Sequence, residues 1–143
     1  MIVLLDTCVI LDALLHREPF NKEAETLFLL AANHQIEGCI TAKSATDIYY
    51  LTHRNTHSDE ASRRILANLF TLFAVLDSYG LDCQKALISA MSDYEDAVMV
   101  ETAKRTGMQC IITRNSKDYS RSAVPVYTPA DFLKLIEAQA SED

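Results

Sequence analysis

Apolar residues in this chain fall into short unbroken runs, separated by longer stretches with helical spacing. Residues 2–5, IVLL, contain no polar member and predict a fully buried parallel strand. Four comparable runs follow: CITA from Cys39, FAVLD ending at Asp77, CIIT from Cys110, and VPVYT from Val124. Between them lie segments of period 3.6. CVILDALL opens after Asp6-Thr7 and is broken at Pro19, and a helix over about 21–33 places Ala24, Leu27, Phe28 and Ala31 on one face. Helices are also predicted from Ser44 through ATDIYYLTHR, over 59–73 after the polar NTHSD break, over 82–91, and over 92–105 with Gly107 as a stop. After Pro129, ADFLKLIEAQA predicts a C-terminal helix.

Buried runs alternating with helices define an α/β fold, a mainly parallel sheet of about five strands flanked by helices on both faces. No linker, repeat or low-complexity segment interrupts it, so residues 1–143 read as a single domain. The chain is 49% hydrophobic and 23% charged, ordinary values for a globular protein under which disorder is not the default, and its 3 Gly and 3 Pro suit short connections. Cys8, Cys39, Cys83 and Cys110 form no C-x-x-C pair, and three of them sit in apolar runs. That usage favours a reduced, cytoplasmic protein over a disulfide or zinc scaffold. Residues 1–5 are too short for a signal peptide, and no stretch is long enough to span a membrane.

Ligands of an open parallel sheet bind just beyond the carboxyl ends of its strands. Asp6 follows the first strand directly, Asp47 lies in the helix after the second, and Asp118 lies in the loop after CIIT. Asp93 and Asp96 begin the helix that feeds that strand. Local structure can use these acids as well. Asp6 can cap the helix behind it, with Thr7 as another cap, and Ser44-Ala-Thr-Asp47 and Ser92-Asp-Tyr-Glu95 both fit a capping box. Asp96 has no such explanation. It shares a face with Val100 and Ala103, so it continues the core stripe, where a carboxylate costs desolvation unless a cation or donors receive it. Asp93 lies on a neighbouring part of that face.

Carboxylates without an obligatory Cys or His suit a hard cation, Mg²⁺ or Mn²⁺, which activates water and offsets charge at a phosphate. Such an ion also answers an electrostatic objection. The net charge is −7, and an acidic chain grips nucleic acid only through metal or a local basic patch. Arg114, Lys117 and Arg121 form such a patch beside Asp118, available to an RNA backbone. Other chemistries lack anchors. His53 and His57 have no accompanying Glu, and there is no P-loop, G-x-G-x-x-G or G-x-S-x-G. A phosphoryl-receiving signalling domain accepting on Asp77 would need paired acids at the first strand, but Thr7-Cys8 follow Asp6.

MIVLLDTCVILDALL, ITAKSATDIYYL, DYEDAVMVETAKRTG and CIITRNSKDY, in that order and with the tail VPVYTPADFL, resemble the PIN-domain ribonucleases, which include VapC-type toxins. The resemblance covers nearly the whole chain. It implies a metal-dependent endoribonuclease with Asp6, Asp47, Asp96 and Asp118 as catalytic acids, and Asp6, Asp96 and Asp118 as metal ligands. Thr7, Thr113 and Asn115 would be polar residues of the substrate site, together with Arg114 and Lys117 of the basic run. Two positions depart from the pattern. Asp47 stands where the family more often has Glu, and Asn115 where many members have Asp, with Asp93 placed to compensate at the metal. The resemblance further implies RNA as substrate, a homodimer, and a cognate antitoxin. A PIN fold that only binds RNA or protein is the alternative.

Overall fold

A computed structural model describes residues 1–142. Five strands form one sheet: β1 (Ile2–Leu5), β2 (Glu37–Thr41), β3 (Ala74–Leu76), β4 (Cys110–Ile112) and β5 (Val126–Tyr127). Their order is β3-β2-β1-β4-β5, and every pairing is parallel. The sheet is therefore wholly parallel, where the sequence pattern predicted a mainly parallel one. Seven α-helices surround it: α1 (Thr7–Leu14), α2 (Asn21–Ala32), α3 (Ala42–Thr56), α4 (Asp59–Leu72), α5 (Gly80–Ala86), α6 (Tyr94–Thr106) and α7 (Pro129–Glu142). A 3₁₀ turn, Ser116–Tyr119, follows β4. Among the described residues no helix is long and apolar enough to cross a membrane.

The apolar runs are continuous because both faces of the sheet are covered, and the two-residue period of a strand sorts them. Val3, Leu5, Ile40, Cys110 and Ile112 join one core, with side chains of α1, α2, α3, α4 and α7. Leu4, Cys39 and Ile111 point the other way, into a second core with Met99, Val100 and Ala103 of α6. Tyr119 belongs to this second core and is 3% exposed.

Three local readings are corrected. The capping residue of α3 is Thr41, whose Oγ1 accepts from Ser44 N at 3.0 Å, so Ser44 and Asp47 form no capping box. The last residue of a strand already has the extended backbone that an N-cap needs. Asp93, not Ser92, caps α6, accepting from Asp96 N at 2.9 Å, so Glu95 is not held at a cap. The helix expected over 82–91 is shorter and earlier, because Asp82 turns back to accept from Tyr79 N at 3.1 Å and fixes the start at Gly80. The stop at Gly107 is as expected, with φ of 72°.

Gly38 marks the tightest approach in the sheet. A Cβ there would lie 2.5 Å from Cδ1 and 2.7 Å from Cε1 of Phe73, a buried ring with no room to turn away. Gly38→Ala should therefore destabilise the fold by about 1–3 kcal/mol, read as a lower denaturant midpoint at unchanged slope.

Candidate active site

Parallel pairing brings the carboxyl ends of β1, β2 and β4 to one edge, and Asp6 stands at its centre. Its backbone N–H still donates to Ile112 O at 2.9 Å, so strand pairing fixes its position before any side-chain contact does. Asp6 caps α1 as well: Oδ1 accepts from Thr7 N at 2.8 Å. Oδ2 accepts from the hydroxyl of Thr113 at 2.8 Å, and Thr113, directly after β4, is fully buried. The capping role and a place in the site are thus held by one side chain using different oxygens.

Asp96 arrives from α6 on the face that carries buried Val100 and Ala103, as the stripe predicted. Its meeting with Asp6 is through Tyr119. That hydroxyl lies 3.0 Å from Asp96 Oδ1 and 3.4 Å from Asp6 Oδ2. Burial, and then the charges of Asp6 and Asp96, push the phenol far above its ordinary range, so it remains a donor. Burial also raises both acids. Asp6 is pushed up against the lowering effect of Thr113 and Thr7. Asp96 is pushed up to about 6, first by burial and then by Asp93, Asp6 and Asp118, with Tyr119 opposing. Among the described residues no cation pairs with either carboxylate.

The other acids are disposed around this pair. Asp93 is exposed, and its charge reaches Asp96. Asp118 is exposed on the 3₁₀ turn, near enough for its charge to be felt there as well. Asp47 is drawn aside by Lys43, whose Nζ lies 2.7 Å from Asp47 Oδ2 and 2.6 Å from Glu95 Oε1. Burial works against that ammonium, but the two carboxylates prevail and hold it above its ordinary value. Glu95 in turn raises Asp6 electrostatically, so it borders the site. Among the described residues no three His, Cys, Asp or Glu side chains are grouped as a finished metal cage. Two carboxylates with free lone pairs still fit Mg²⁺, which keeps several waters and is commonly held by one or two protein carboxylates plus phosphate.

The residues expected to meet substrate divide. Thr7 donates its hydroxyl to Ser44 at 2.9 Å, tying α1 to α3. Thr113 is spent on Asp6. Asn115 N–H donates to Thr113 Oγ1 at 3.1 Å, leaving its exposed side chain outward, and Lys117 is exposed. Arg114 does not extend freely: its Nε and Nη2 lie 2.5 and 3.1 Å from the two oxygens of buried Asp12. Asp77, the acceptor in the signalling alternative, follows the edge strand β3, two strands away from β1. Sequence reasoning missed Tyr119, Glu95 and Lys43. A tyrosine beside Asp118 in a polar loop carried no signal of burial, while the Glu95–Lys43 contact spans 52 residues.

The fold is thus a wholly parallel α/β sheet that brings two raised carboxylates, Asp6 after β1 and Asp96 on α6, to one edge. A sequence model of the PIN domain matches residues 2–117, and the chain belongs to the PIN-domain family. Its fold is similar to that of VapBC-1 from nontypeable Haemophilus influenzae, at 18% identity and a TM-score of 0.65, covering 91% of this chain and 99% of that one. VapBC2 from Rickettsia felis, bound to a DNA fragment from its promoter, aligns at 19% identity and a TM-score of 0.61, covering 90% and 98%. A toxin–antitoxin complex from Klebsiella pneumoniae aligns at 22% and 0.62, covering 89% and 97%. No curated protein matches the sequence.

The raised carboxylates have a consequence for stability. A native pKa above the unfolded value means that the folded chain holds the proton more tightly, so this stabilisation is present at low pH. It is lost as pH rises through about 6 for Asp96. In metal-free protein the contribution of this pair should therefore fall between about pH 4 and pH 7. Asp96→Asn should flatten that slope and raise the unfolding midpoint at pH 7.5. A midpoint at pH 7.5 equal to wild type would contradict a cost of ionising Asp96 in its buried place beside Asp93 and Asp6.

Proposed function

We propose that the chain is a Mg²⁺- or Mn²⁺-dependent endoribonuclease, acting in the cytoplasm as the toxin of a toxin–antitoxin pair. The observation that carries the reading is the convergence of Asp6 and Asp96, from β1 and α6, on the single hydroxyl of Tyr119. Desolvated acids kept together without a counter-ion cost stability, and such arrangements persist at functional sites. PIN-family membership supplies the prior for nuclease chemistry, and the structural neighbours from toxin–antitoxin complexes favour a cognate antitoxin as partner. A homodimer is part of the same reading.

Asp6 and Asp96 would hold the ion, with Asp93 and Asp118 close enough to add charge or to accept a water-mediated contact. When bound, the ion would lower the pKa of a water and offset charge on the phosphate. The chain's own groups prepare that chemistry. Thr113 and the Thr7 N–H fix both oxygens of Asp6, and Tyr119, unable to ionise, holds the two carboxylates in register. Lys43 keeps Asp47 and Glu95 from adding uncompensated repulsion, and it is the cation nearest to them for an approaching phosphate. Asn115 and Lys117 lie outward on the turn that carries Asp118, where an RNA backbone can meet them.

Asp6→Asn and Asp96→Asn should each reduce metal-dependent cleavage of single-stranded RNA by at least about 10³-fold, while circular dichroism shows an intact fold. Asp47→Asn should cost less, because Asp47 is already engaged by Lys43. Cleavage that survives a chelator, or full activity in Asp96→Asn, would overturn the mechanism. A wild type that binds RNA and never cuts it would favour the binding-module alternative.

A further inference from the structure

Beyond the ends of β4 and β5 lies a cavity of about 440 Å³, lined by Pro19, Phe20, Glu23, Arg114, Thr128 and Pro129. That volume is within the roughly 300–1,000 Å³ typical of small-ligand sites. Arg114 is the residue directly after Thr113, which holds Asp6, and Thr128 directly follows β5, so the cavity and the carboxylates lie at the same carboxyl edge of the sheet. Its construction is unusual for a surface loop. Phe20 is 44% exposed, as Phe70 of α4 is at 45%, whereas Phe73 and Phe132 are buried. The guanidinium of Arg114 lies 4.2 Å over the Phe20 ring. It is kept there by the two-oxygen grip of Asp12, itself 1% exposed, which also draws Arg17 to 3.9 Å.

An aromatic ring and a guanidinium fixed in advance make a stacking surface that loses little freedom when a ligand arrives. The charge balance selects the ligand. Asp12 already compensates Arg114, and Glu23 adds a further acid to the lining, so the cavity presents little net positive charge to a phosphate. It presents instead an aromatic face, the remaining N–H donors of Arg114, and acceptors on Glu23 and Thr128. These are the groups that hold an unpaired nucleobase by stacking and by its edge.

We propose that this cavity is a nucleobase subsite, taking one base of single-stranded RNA next to the bond that is cut. The proposal rests on the ribonuclease reading above and adds where the substrate's base is held. Arg114 then serves to build the base platform, not to neutralise backbone.

The test uses a short single-stranded oligoribonucleotide carrying 2-aminopurine, mixed with the full chain in Mg²⁺ and read by stopped flow before any bond is cut. Phe20→Ala should weaken binding roughly tenfold and relieve the fluorescence quenching, whereas Phe20→Trp should bind as wild type does. In Mg²⁺, sequencing of cut ends should show that Phe20→Ala flattens base preference at one position beside the cut. Equal affinity of Phe20→Ala and wild type would overturn the subsite, and if wild type still cuts RNA the nuclease reading stands. Conversely, weakened binding by Phe20→Ala in a chain that cuts no RNA would support the subsite and sink the nuclease. No binding by wild type, or equal loss in Phe20→Ala and Phe20→Trp with a lowered unfolding midpoint, would also overturn the proposal.

Discussion

Parallel pairing of β1 with β2 and with β4 is the constraint on which the site depends. In a sheet whose strands all run the same way, each crossover returns the chain to the opposite edge, and every strand then ends at the same one. β1 is central, so Asp6 emerges between Thr41 at the end of β2 and Thr113 at the end of β4. Its backbone is held by the ladder and its carboxylate by two donors. α6, packed on one face through Val100 and Ala103, delivers Asp96 to the same edge. Tyr119 closes the arrangement from the loop after β4, its ring anchored in the second core and its hydroxyl between the two acids.

Another acid of the fold shows the opposite electrostatics to this pair. Asp82 is also an acid in an otherwise apolar setting, only 2% exposed. Arg105 contacts both its oxygens at 2.9 Å, Thr102 and the Tyr79 N–H donate to it, and the Tyr79 ring lies 3.8 Å under the guanidinium. The arginine holds that carboxyl below its usual range. Asp82 therefore acts as a clasp joining α5 to α6. Asp6 and Asp96 have donors but no cation, and their pKa values move upward. Asp82 and Asp12 are each compensated by an arginine, while Asp6 and Asp96 have no ion-pair partner among the described residues.

Asp12 extends the same logic to the neighbouring surface. Its pairing with Arg114 locks the first residue beyond Thr113 and presents that guanidinium over Phe20. Residues 113–119 touch both features, Thr113 and Tyr119 contacting the carboxylate pair and Arg114 the Phe20 ring.

Much of the fold was legible along the chain because burial of a parallel sheet on both faces leaves a local mark. IVLL, CITA and CIIT are strands for that reason, and the order of strands and helices followed. Asp96 was legible too, since a helix face has a fixed period and an acid in the apolar stripe stands out. Caps were less legible: Thr41 and Asp93 compete with Ser44, three residues away, and Ser92, one residue away, and backbone geometry decides between equals. What only the tertiary structure decided concerns pairs distant in sequence. Lys43 meeting Glu95, Arg114 meeting Asp12, and Tyr119 reaching both Asp6 and Asp96 each require strands and helices to be packed first. Residue type states what a side chain can do. Which partner it finds is set by the three-dimensional closure of the sheet and its helices, and no local pattern encodes that.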